Sequence, residues 1–308
     1  MRVAAIDCGT NSIRLLIADV NGDRLVDLDR RMEIVRLGEG VDRTGRFSDA
    51  ALERTFAACD AYADAIRDAG AERVRFVATS ASRDVSNRDA FAAGVSARLG
   101  VAPDVISGDE EARLSFTGAV RGLPDHLAPA PRLVVDIGGG STEFVLGDEE
   151  PEHAVSVDIG CVRMTERHLR SDPPTAEEVA LAVRDIDDAV DIAAATVPVS
   201  QARTLIGVAG SVTTVAAIAL GLTSYDPEAL QGSVVSAAQV DEVTGALLAM
   251  TRAERAALPV MHPGRVDVIA GGALVLRAIL RRTGQGQVVV SEHDILDGIA
   301  WALATSRM

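Results

Sequence analysis

The sequence contains one short turn twice, 129 positions apart. The pattern D-x-G-x-x-S occurs at 7–12 and again at 136–141. Short runs rich in Val, Ile and Leu flank each turn and predict strands at 2–7, 13–20, 133–136 and 142–146. A duplicated strand–turn–strand unit predicts two similar α/β lobes that face each other across a ligand site.

Both turns have the chemistry of a phosphate-binding loop. Glycine lets main-chain N–H groups come close to anion oxygens, and a serine hydroxyl adds a donor. A third turn, at 207–211, ends a strand and opens a helix, where the helix dipole favours an anion. From these turns the residues predicted to bind phosphate are Thr10, Asn11, Ser12, Gly138, Gly139, Gly140, Ser141, Gly210 and Ser211.

The chain contains no lysine, since all 30 of its basic residues are arginine. This excludes a lysine-containing P-loop and any Schiff-base enzyme. Arginine binds phosphate instead, through a planar guanidinium that stays charged. With 45 acidic residues the net charge is −15, which argues against nucleic acid or an anionic membrane as a partner. An anionic ligand must therefore be bound by local groups.

Cysteine usage and the start of the chain indicate a cytoplasmic protein. Cys8, Cys59 and Cys161 share no metal-ligand spacing and cannot all pair, so we interpret them as small apolar side chains in a reducing compartment. The first residues lack the basic and apolar regions of a signal peptide, and no apolar run approaches the length of a membrane span.

Three prolines and a glycine in the segment 122–131 predict a linker between domains. This gives an N-terminal lobe at 1–122, completed by a C-terminal helix at about 295–308, and a C-terminal lobe at 132–294.

Capping residues and hydrophobic periodicity predict several further elements. Thr175 with Glu178, and Ser236 with Gln239, form capping boxes that open helices. The other predicted elements are strands at 24–28 and 31–37, a helix from Ser48 to Gly70, and a helix at 265–282.

The order and spacing of the three turns are similar to those of the superfamily that includes actin, Hsp70 and sugar kinases. More specifically, the segment 105–116 (VISGDEEARLSF) strongly resembles the signature helix of the exopolyphosphatase and guanosine pentaphosphate phosphatase family. The resemblance continues, in the family's usual order, at 136–143, 158–163, 207–211, 262–265 and 291–294. It implies an α/β protein of two actin-like lobes (the ASKHA, ribonuclease H-like fold) with an active-site cleft between them.

The resemblance also implies an activity, the hydrolysis of the terminal phosphate of inorganic polyphosphate. Many members continue well beyond the position of Met308, so we expect short chains to be favoured. Guanosine pentaphosphate is the alternative substrate within the family, and the sequence does not separate the two. A homodimer is implied in the same way, without any interface visible in the sequence.

Individual roles follow from the resemblance. Glu111, in the first turn of its helix, is the implied base that orients and deprotonates the attacking water, with Glu110 as its nearest competitor. Asp136 and Glu143 are the implied ligands of Mg²⁺, with Mn²⁺ as the alternative metal and Asp7 assisting.

Two arginines are predicted to bind phosphate, Arg83 after a strand and Arg265 in the turn that begins at His262. A structural turn is an equally good interpretation of that second segment. Arg113 either binds phosphate or braces its helix, and we interpret His293 as part of a capped loop.

Two other classes of function compete with the phosphatase. An actin-like kinase would need an adenosine pocket and a base aimed at an acceptor hydroxyl, which the Glu111 helix does not match. A non-catalytic sensor would bind nucleotide or polyphosphate and report by closure, and would retain the loops without the base.

Overall fold

The computed structural model describes residues 1–22, 24–83 and 85–305. The chain divides into two compact units. Unit 1 comprises Met1–Gly118 and the segment that begins at Ile295, and unit 2 comprises Ala119–Asp294. None of the helices in the described ranges combines the length and apolar character that a membrane span requires.

The segment 122–131, predicted to be a linker, lies in unit 2 rather than between the units. The reason is Arg132, which is 4% exposed and donates from Nε to the carbonyl of Ala128 at 2.6 Å. Its Nη2 also donates to Asp125 at 2.5 Å, and the hydroxyl of Thr204 donates to Pro129. The segment is therefore bonded to the sheet that follows it.

The first part of the chain forms, in order, β1 (Arg2–Cys8), β2 (Ser12–Asn21), β3 (Arg24–Ile34), α1 (Val41–Thr44), α2 (Asp49–Ala69), β4 (Arg73–Ala78), α3 (Ser80–Arg83), α4 (Arg88–Leu99), β5 (Asp104–Val105) and α5 (Gly108–Arg121). Helix α2 begins and ends as predicted. The hydroxyl of Ser48 accepts a hydrogen bond from Ala51 N–H, and Gly70 closes the helix in the left-handed conformation.

The remainder forms β6 (Arg132–Ile137), β7 (Thr142–Gly147), β8 (Pro151–Val157), α6 (Cys161–His168), α7 (Ala176–Thr196), β9 (Thr204–Val208), α8 (Ala209–Ala219), α9 (Pro227–Leu230), β10 (Val234–Ser236), α10 (Ala237–Ala249), α11 (Arg252–Ala256), α12 (Ile269–Thr283), β11 (Gln287–Val290) and α13 (Ile295–Thr305), with 3₁₀ turns at Val199–Gln201 and Pro263–Arg265. Both predicted capping boxes are present, at the starts of α7 and α10.

Each unit contains a sheet, and the two sheets share the same arrangement of strands. In unit 1 the strand order is β3-β2-β1-β4-β5, and in unit 2 it is β8-β7-β6-β9-β11 with β10 added at the edge. Each sheet has three antiparallel strands followed by two parallel ones. The predicted fold class, an α/β protein with two actin-like lobes, is confirmed.

Strand β1 of unit 1 is buried on both faces. Ala4 and Ile6 of β1 belong to the core beneath α2 and α4, while Val3 and Ala5 belong to the core beneath α13. Alternate residues of a strand point to opposite faces, so a strand covered on both sides must be apolar throughout. The C-terminal helix thus completes the core of unit 1.

Two predicted elements differ from the structure. The strands expected at 24–28 and 31–37 are one continuous strand, β3, which pairs with β2 along its length and takes up a register shift at Ile17/Ala18. The helix expected at 265–282 begins at Ile269, because Pro263–Arg265 forms a separate 3₁₀ turn.

Candidate active site

The first glycine turn of unit 1 is held by its carbonyl groups. Gly9 N–H closes the turn by donating to the Ser12 carbonyl at 2.9 Å. The Thr10 carbonyl accepts from Gly38 N–H at 2.8 Å, and the Asn11 carbonyl accepts from the N–H groups of Val35 and Arg36. The Thr10 hydroxyl lies 3.0 Å from the Ser80 hydroxyl.

The second glycine turn, in unit 2, repeats this arrangement. Gly138 N–H donates to the Ser141 carbonyl at 3.1 Å. The carbonyl groups of the three glycines then accept hydrogen bonds from the start of α6, whose donors are Cys161 N–H at 3.0 Å to Gly138, Val162 N–H at 2.9 Å to Gly139, and Arg163 Nε at 2.6 Å to Gly140.

Because the carbonyl groups of the second turn point towards α6, its N–H groups lie on the side of the turn that faces away from α6. The C=O and N–H of a trans peptide unit point in opposite directions. Since the carbonyls of Gly138, Gly139 and Gly140 point towards α6, the N–H groups of Gly139, Gly140 and Ser141 point away from it. Within the described residues these three N–H groups donate no hydrogen bond. Consecutive N–H groups of this kind form an anion-binding concavity.

Two carboxylates lie opposite each other beside the second turn. Asp136 of β6 and Glu143 of β7 are register partners, and they are only 7% and 1% exposed. Ser156 donates to Glu143 Oε1 at 2.7 Å. Like charges at directly opposed positions of an antiparallel pair repel each other, so a bound cation would stabilise this pair.

The donor set fits a hard divalent cation. Among the described side chains, no group of three or more His, Cys, Asp or Glu is placed to hold a metal. Two carboxylates are nevertheless the usual protein contribution to a Mg²⁺ site, because this ion retains waters and takes further ligands from substrate phosphates.

The corresponding pair in unit 1 is different. Asp7 of β1 faces Arg14 of β2, and Arg14 Nη2 lies 2.6 Å from Asp7 Oδ2. Asp7, predicted to assist with the metal, therefore has an arginine as its cation. The sequence interpretation did not include Arg14. Extending the repeated turn by two residues would have found it, because Arg14 and Glu143 are also 129 positions apart.

Glu111 and Arg83 are brought together in unit 1. Arg83 ends α3, and its Nη1 donates to Glu111 Oε2 at 2.7 Å. Glu111 is 8% exposed and lies in the first turn of α5. A guanidinium at this distance favours the ionised carboxylate, which is the form that a general base requires.

Glu110, the alternative to Glu111, has a different environment. Its carboxylate accepts from Arg75 Nη2 at 2.6 Å, and the same nitrogen bonds Asp104 at 2.6 Å. The Glu110 side chain is 46% exposed. It belongs to a surface ion-pair network, so the buried residue of the two is Glu111.

The third turn lies at the start of α8 in unit 2. Ala209 has a φ of 66°, a left-handed conformation that costs energy for any residue with a Cβ. Gly210 has no room for a Cβ, because the guanidinium of Arg265 occupies that space. Arg265 Nη1 also lies 3.4 Å from the Thr214 hydroxyl. The predicted phosphate-binding residues Gly210 and Arg265 are therefore in contact.

Ser211 has structural neighbours. Its hydroxyl fills the space beside Gly272 of α12. Burial raises the pKa of the Cys161 thiol, while its hydrogen bond with Ser211 acts in the opposite direction. These contacts favour a packing role for the Ser211 side chain, and its binding of phosphate stays a prediction.

Three other polar residues named in the sequence analysis, His262, His293 and Arg113, each have a different environment. His262 accepts a hydrogen bond from Gly264 N–H at its Nδ1 and caps the 3₁₀ turn. His293 lies against Gly122, and its main chain bonds the Ser291 hydroxyl. Arg113 is exposed on α5.

Comparison with known proteins identifies the family. The Ppx/GppA phosphatase family matches residues 16–306, which is most of the chain. The chain belongs to the Ppx/GppA phosphatase family. The family resemblance found in the sequence is confirmed.

Individual Ppx/GppA relatives match over nearly their whole length. Exopolyphosphatase 2 of Mycobacterium tuberculosis is 54% identical over 316 aligned positions, covering 98% of each chain. A crystal structure described as an exopolyphosphatase-like protein has a TM-score of 0.94 and 46% identity, covering 97% of this chain and 96% of that one. An exopolyphosphatase from Cytophaga hutchinsonii has a TM-score of 0.91 and 25% identity, covering 100% and 99%.

Proposed function

We propose that this phosphatase is an Mg²⁺-dependent exopolyphosphatase that removes the terminal phosphate of short inorganic polyphosphates. The observation that carries the proposal is the second glycine turn, whose N–H groups at Gly139, Gly140 and Ser141 point away from α6 without an acceptor among the described residues. The 54% identity with an exopolyphosphatase supports the choice of substrate.

Phosphate binding is assigned to the three turns. Fixed N–H donors are suited to phosphoryl transfer, in which catalysis consists mainly of positioning and charge stabilisation. The turn at 138–141 supplies three such donors. Asn11 and Ser12 supply side-chain donors that have no partner among the described residues. The Arg265 guanidinium at Gly210 adds a positive charge.

Glu111 is assigned as the general base. Its carboxylate would accept a proton from the attacking water, and Arg83 keeps it oriented and ionised through the 2.7 Å contact. In this proposal Arg83 also binds a phosphate oxygen. A charged hydrogen bond of that kind is worth about 1.5–3 kcal/mol.

Asp136 and Glu143 would hold the Mg²⁺, with Mn²⁺ as the alternative metal. When bound, the ion neutralises charge on the phosphate oxygens. The chain's own part is to present two buried carboxylates at facing positions, with Ser156 fixing one of them. The cytoplasmic location and the homodimer belong to the same proposal, and the latter is checked by sedimentation equilibrium.

The test is phosphate release by the purified protein with Mg²⁺ from polyphosphates of defined short and long lengths and from guanosine pentaphosphate. Glu111→Gln should lower the rate by about 10²–10⁴-fold, the usual contribution of a general base. Glu110→Gln is the matched control, because it makes the same change one residue away in the surface network, and it should retain activity.

Each other outcome points to a different function. Release from guanosine pentaphosphate alone would identify the nucleotide as the substrate, which the family also contains. Binding of polyphosphate without any release would contradict the enzyme and favour a sensor. Equal loss in Glu110→Gln and Glu111→Gln would contradict the assignment of the base.

A further inference from the structure

Arg163 is bonded to the second glycine turn at two consecutive carbonyl groups. Its main-chain N–H donates to the Gly139 carbonyl at 3.1 Å, and its Nε donates to the Gly140 carbonyl at 2.6 Å. Nη2 lies 3.5 Å from the Asp158 carboxylate, and the side chain is 20% exposed. The guanidinium therefore lies between the turn and Asp158, the residue that follows β8.

The turn needs an external restraint of this kind. Three consecutive glycines, Gly138–Gly140, have more main-chain freedom than any other tripeptide, and ordering them costs correspondingly more entropy. The first two carbonyls are restrained by main-chain N–H groups of α6, whereas the Gly140 carbonyl accepts a side-chain donor. Because peptide units are planar, holding the Gly140 carbonyl also sets the direction of Ser141 N–H.

The start of α6 is in direct contact with the turn. A Cβ at Gly160 would overlap the carbonyl of Gly139 and lie 2.6 Å from Gly140 N. This close approach brings Arg163, three residues later, within reach of the Gly140 carbonyl.

In the first turn, the corresponding carbonyl is restrained by main-chain donors instead of a side chain. The Asn11 carbonyl, which corresponds to that of Gly140, accepts from the main-chain N–H groups of Val35 and Arg36. Only the second turn depends on a side chain for this restraint in the described structure. A point substitution can therefore remove it without changing any residue of the turn.

We propose that Arg163 is a positioning residue, whose side chain holds the Gly140 carbonyl so that the Ser141 N–H faces a bound phosphate. This inference rests on the proposed function of the turn as a phosphate site. Arg163 acts through the main chain of the turn and is not assigned a contact with substrate.

The experiment compares three variants in the full chain. Arg163→Met removes the donors and keeps the length of the side chain, while Arg163→Lys restores one donor. Arg167→Met is the matched control, because Arg167 lies one turn further along α6 and contacts Asp185, with Nη1 3.3 Å from Oδ2. The measurements are kcat and KM for a short polyphosphate, inhibition by inorganic phosphate, the amide NMR resonances of the turn, and Tm.

We expect Arg163→Met to raise KM and the inhibition constant of phosphate by about tenfold or more, with a smaller effect on kcat. Arg163→Lys should recover part of the affinity. The amide resonances of Gly140 and Ser141 should move in Arg163→Met without any ligand, and stay in place in Arg167→Met. The two methionine variants should have similar Tm values.

Two results would overturn the proposal. One is an Arg163→Met variant whose turn resonances and phosphate affinity equal those of Arg167→Met. The other is a loss of affinity that follows a lowered Tm and is equally severe in Arg163→Lys, which would indicate a merely structural role. If the wild-type protein releases no phosphate, the proposed function fails, but the ligand-free resonances still decide whether Arg163 positions the turn.

Discussion

Asp7 and Arg14 face each other in the first hairpin and form an ion pair, with 2.6 Å between Asp7 Oδ2 and Arg14 Nη2. The second hairpin has Asp136 and Glu143 at the same register positions. The duplicated unit thus carries its own cation in one copy and two carboxylates in the other. The repeat is symmetric in its main chain and asymmetric in its charge.

This asymmetry predicts which carboxylates respond to metal. Glu143→Gln and Asp136→Asn should each raise the Mg²⁺ concentration for half-maximal phosphate release by at least about tenfold, since each removes one of two hard oxygen ligands. Asp7→Asn should leave that concentration unchanged, because Arg14 already neutralises Asp7. It should instead lower the free energy of unfolding by about 1.5–3 kcal/mol, the value of a charged hydrogen bond.

For the three variants, titration of the activity with Mg²⁺ measures the metal requirement, and denaturant unfolding measures the free energy of unfolding. An Mg²⁺ requirement that rises as much in Asp7→Asn as in Glu143→Gln would place Asp7 among the metal ligands and contradict the prediction.

A second prediction concerns the contact between Gly160 and the second turn. Gly160→Ala should displace the main chain at Gly139, because the new Cβ would overlap its carbonyl, and should abolish most phosphate release. Gly245→Ala is the control. Gly245 lies inside α10 with no atom within 4 Å of an added Cβ, so this change should stabilise the protein by about 0.5–1 kcal/mol. Phosphate release and Tm of both variants distinguish these outcomes, and an active Gly160→Ala enzyme would show that the turn tolerates displacement.

The fold was predictable where local patterns determine it. The glycine turns, the cap at Ser48 and the two capping boxes are set by residues close together in the chain, and the structure has them where they were expected. Strand β3 was divided wrongly because Asp29–Arg31 interrupts its apolar pattern. This strand is largely exposed. It is continuous because β2 pairs with it along its length, which is a tertiary effect.

In the candidate site, too, local motifs could be predicted from the sequence and tertiary contacts could not. Glu111 and the phosphate turns lie in contiguous motifs and could be named from sequence. The contact between Arg163 and Gly140 joins residues 23 apart and exists only because α6 is placed against the turn. The ion pair of Arg83 with Glu111 spans 28 residues in the same way. Sequence could identify such side chains as candidates but could not show what they contact.

A third prediction uses the strained main chain at Ala209. Its φ of 66° lies in the left-handed region, which costs an alanine about 1 kcal/mol relative to glycine. Ala209→Gly should therefore leave stability equal or raise it by up to about 1 kcal/mol. Ala246→Gly, at an exposed interior position of α10, should lower the stability by about 1 kcal/mol, because glycine loses more conformational freedom on folding than alanine does. Denaturant unfolding measures the change in the free energy of unfolding for each variant. Changes of opposite sign would confirm the strain at Ala209, and equal losses would contradict it.

The last prediction concerns the response of unit 1 to alkaline pH. Burial raises the pKa of the Cys59 thiol from 9.0 to about 12, and burial also raises the pKa values of Cys8 and Tyr62. A group with a higher pKa in the folded state stabilises the fold fully below its unfolded pKa, and this contribution is lost as the pH rises towards the folded value. One such thiol removes about 1.4 kcal/mol of unfolding free energy for each pH unit above 9. Denaturant unfolding between pH 8 and 11 should show this decline, with a shallower slope in Cys59→Ala. The comparison of slopes isolates Cys59 from the other cysteines and the tyrosines, which titrate in both proteins. Identical slopes would show that its thiol ionises as readily in the folded chain as in the unfolded one.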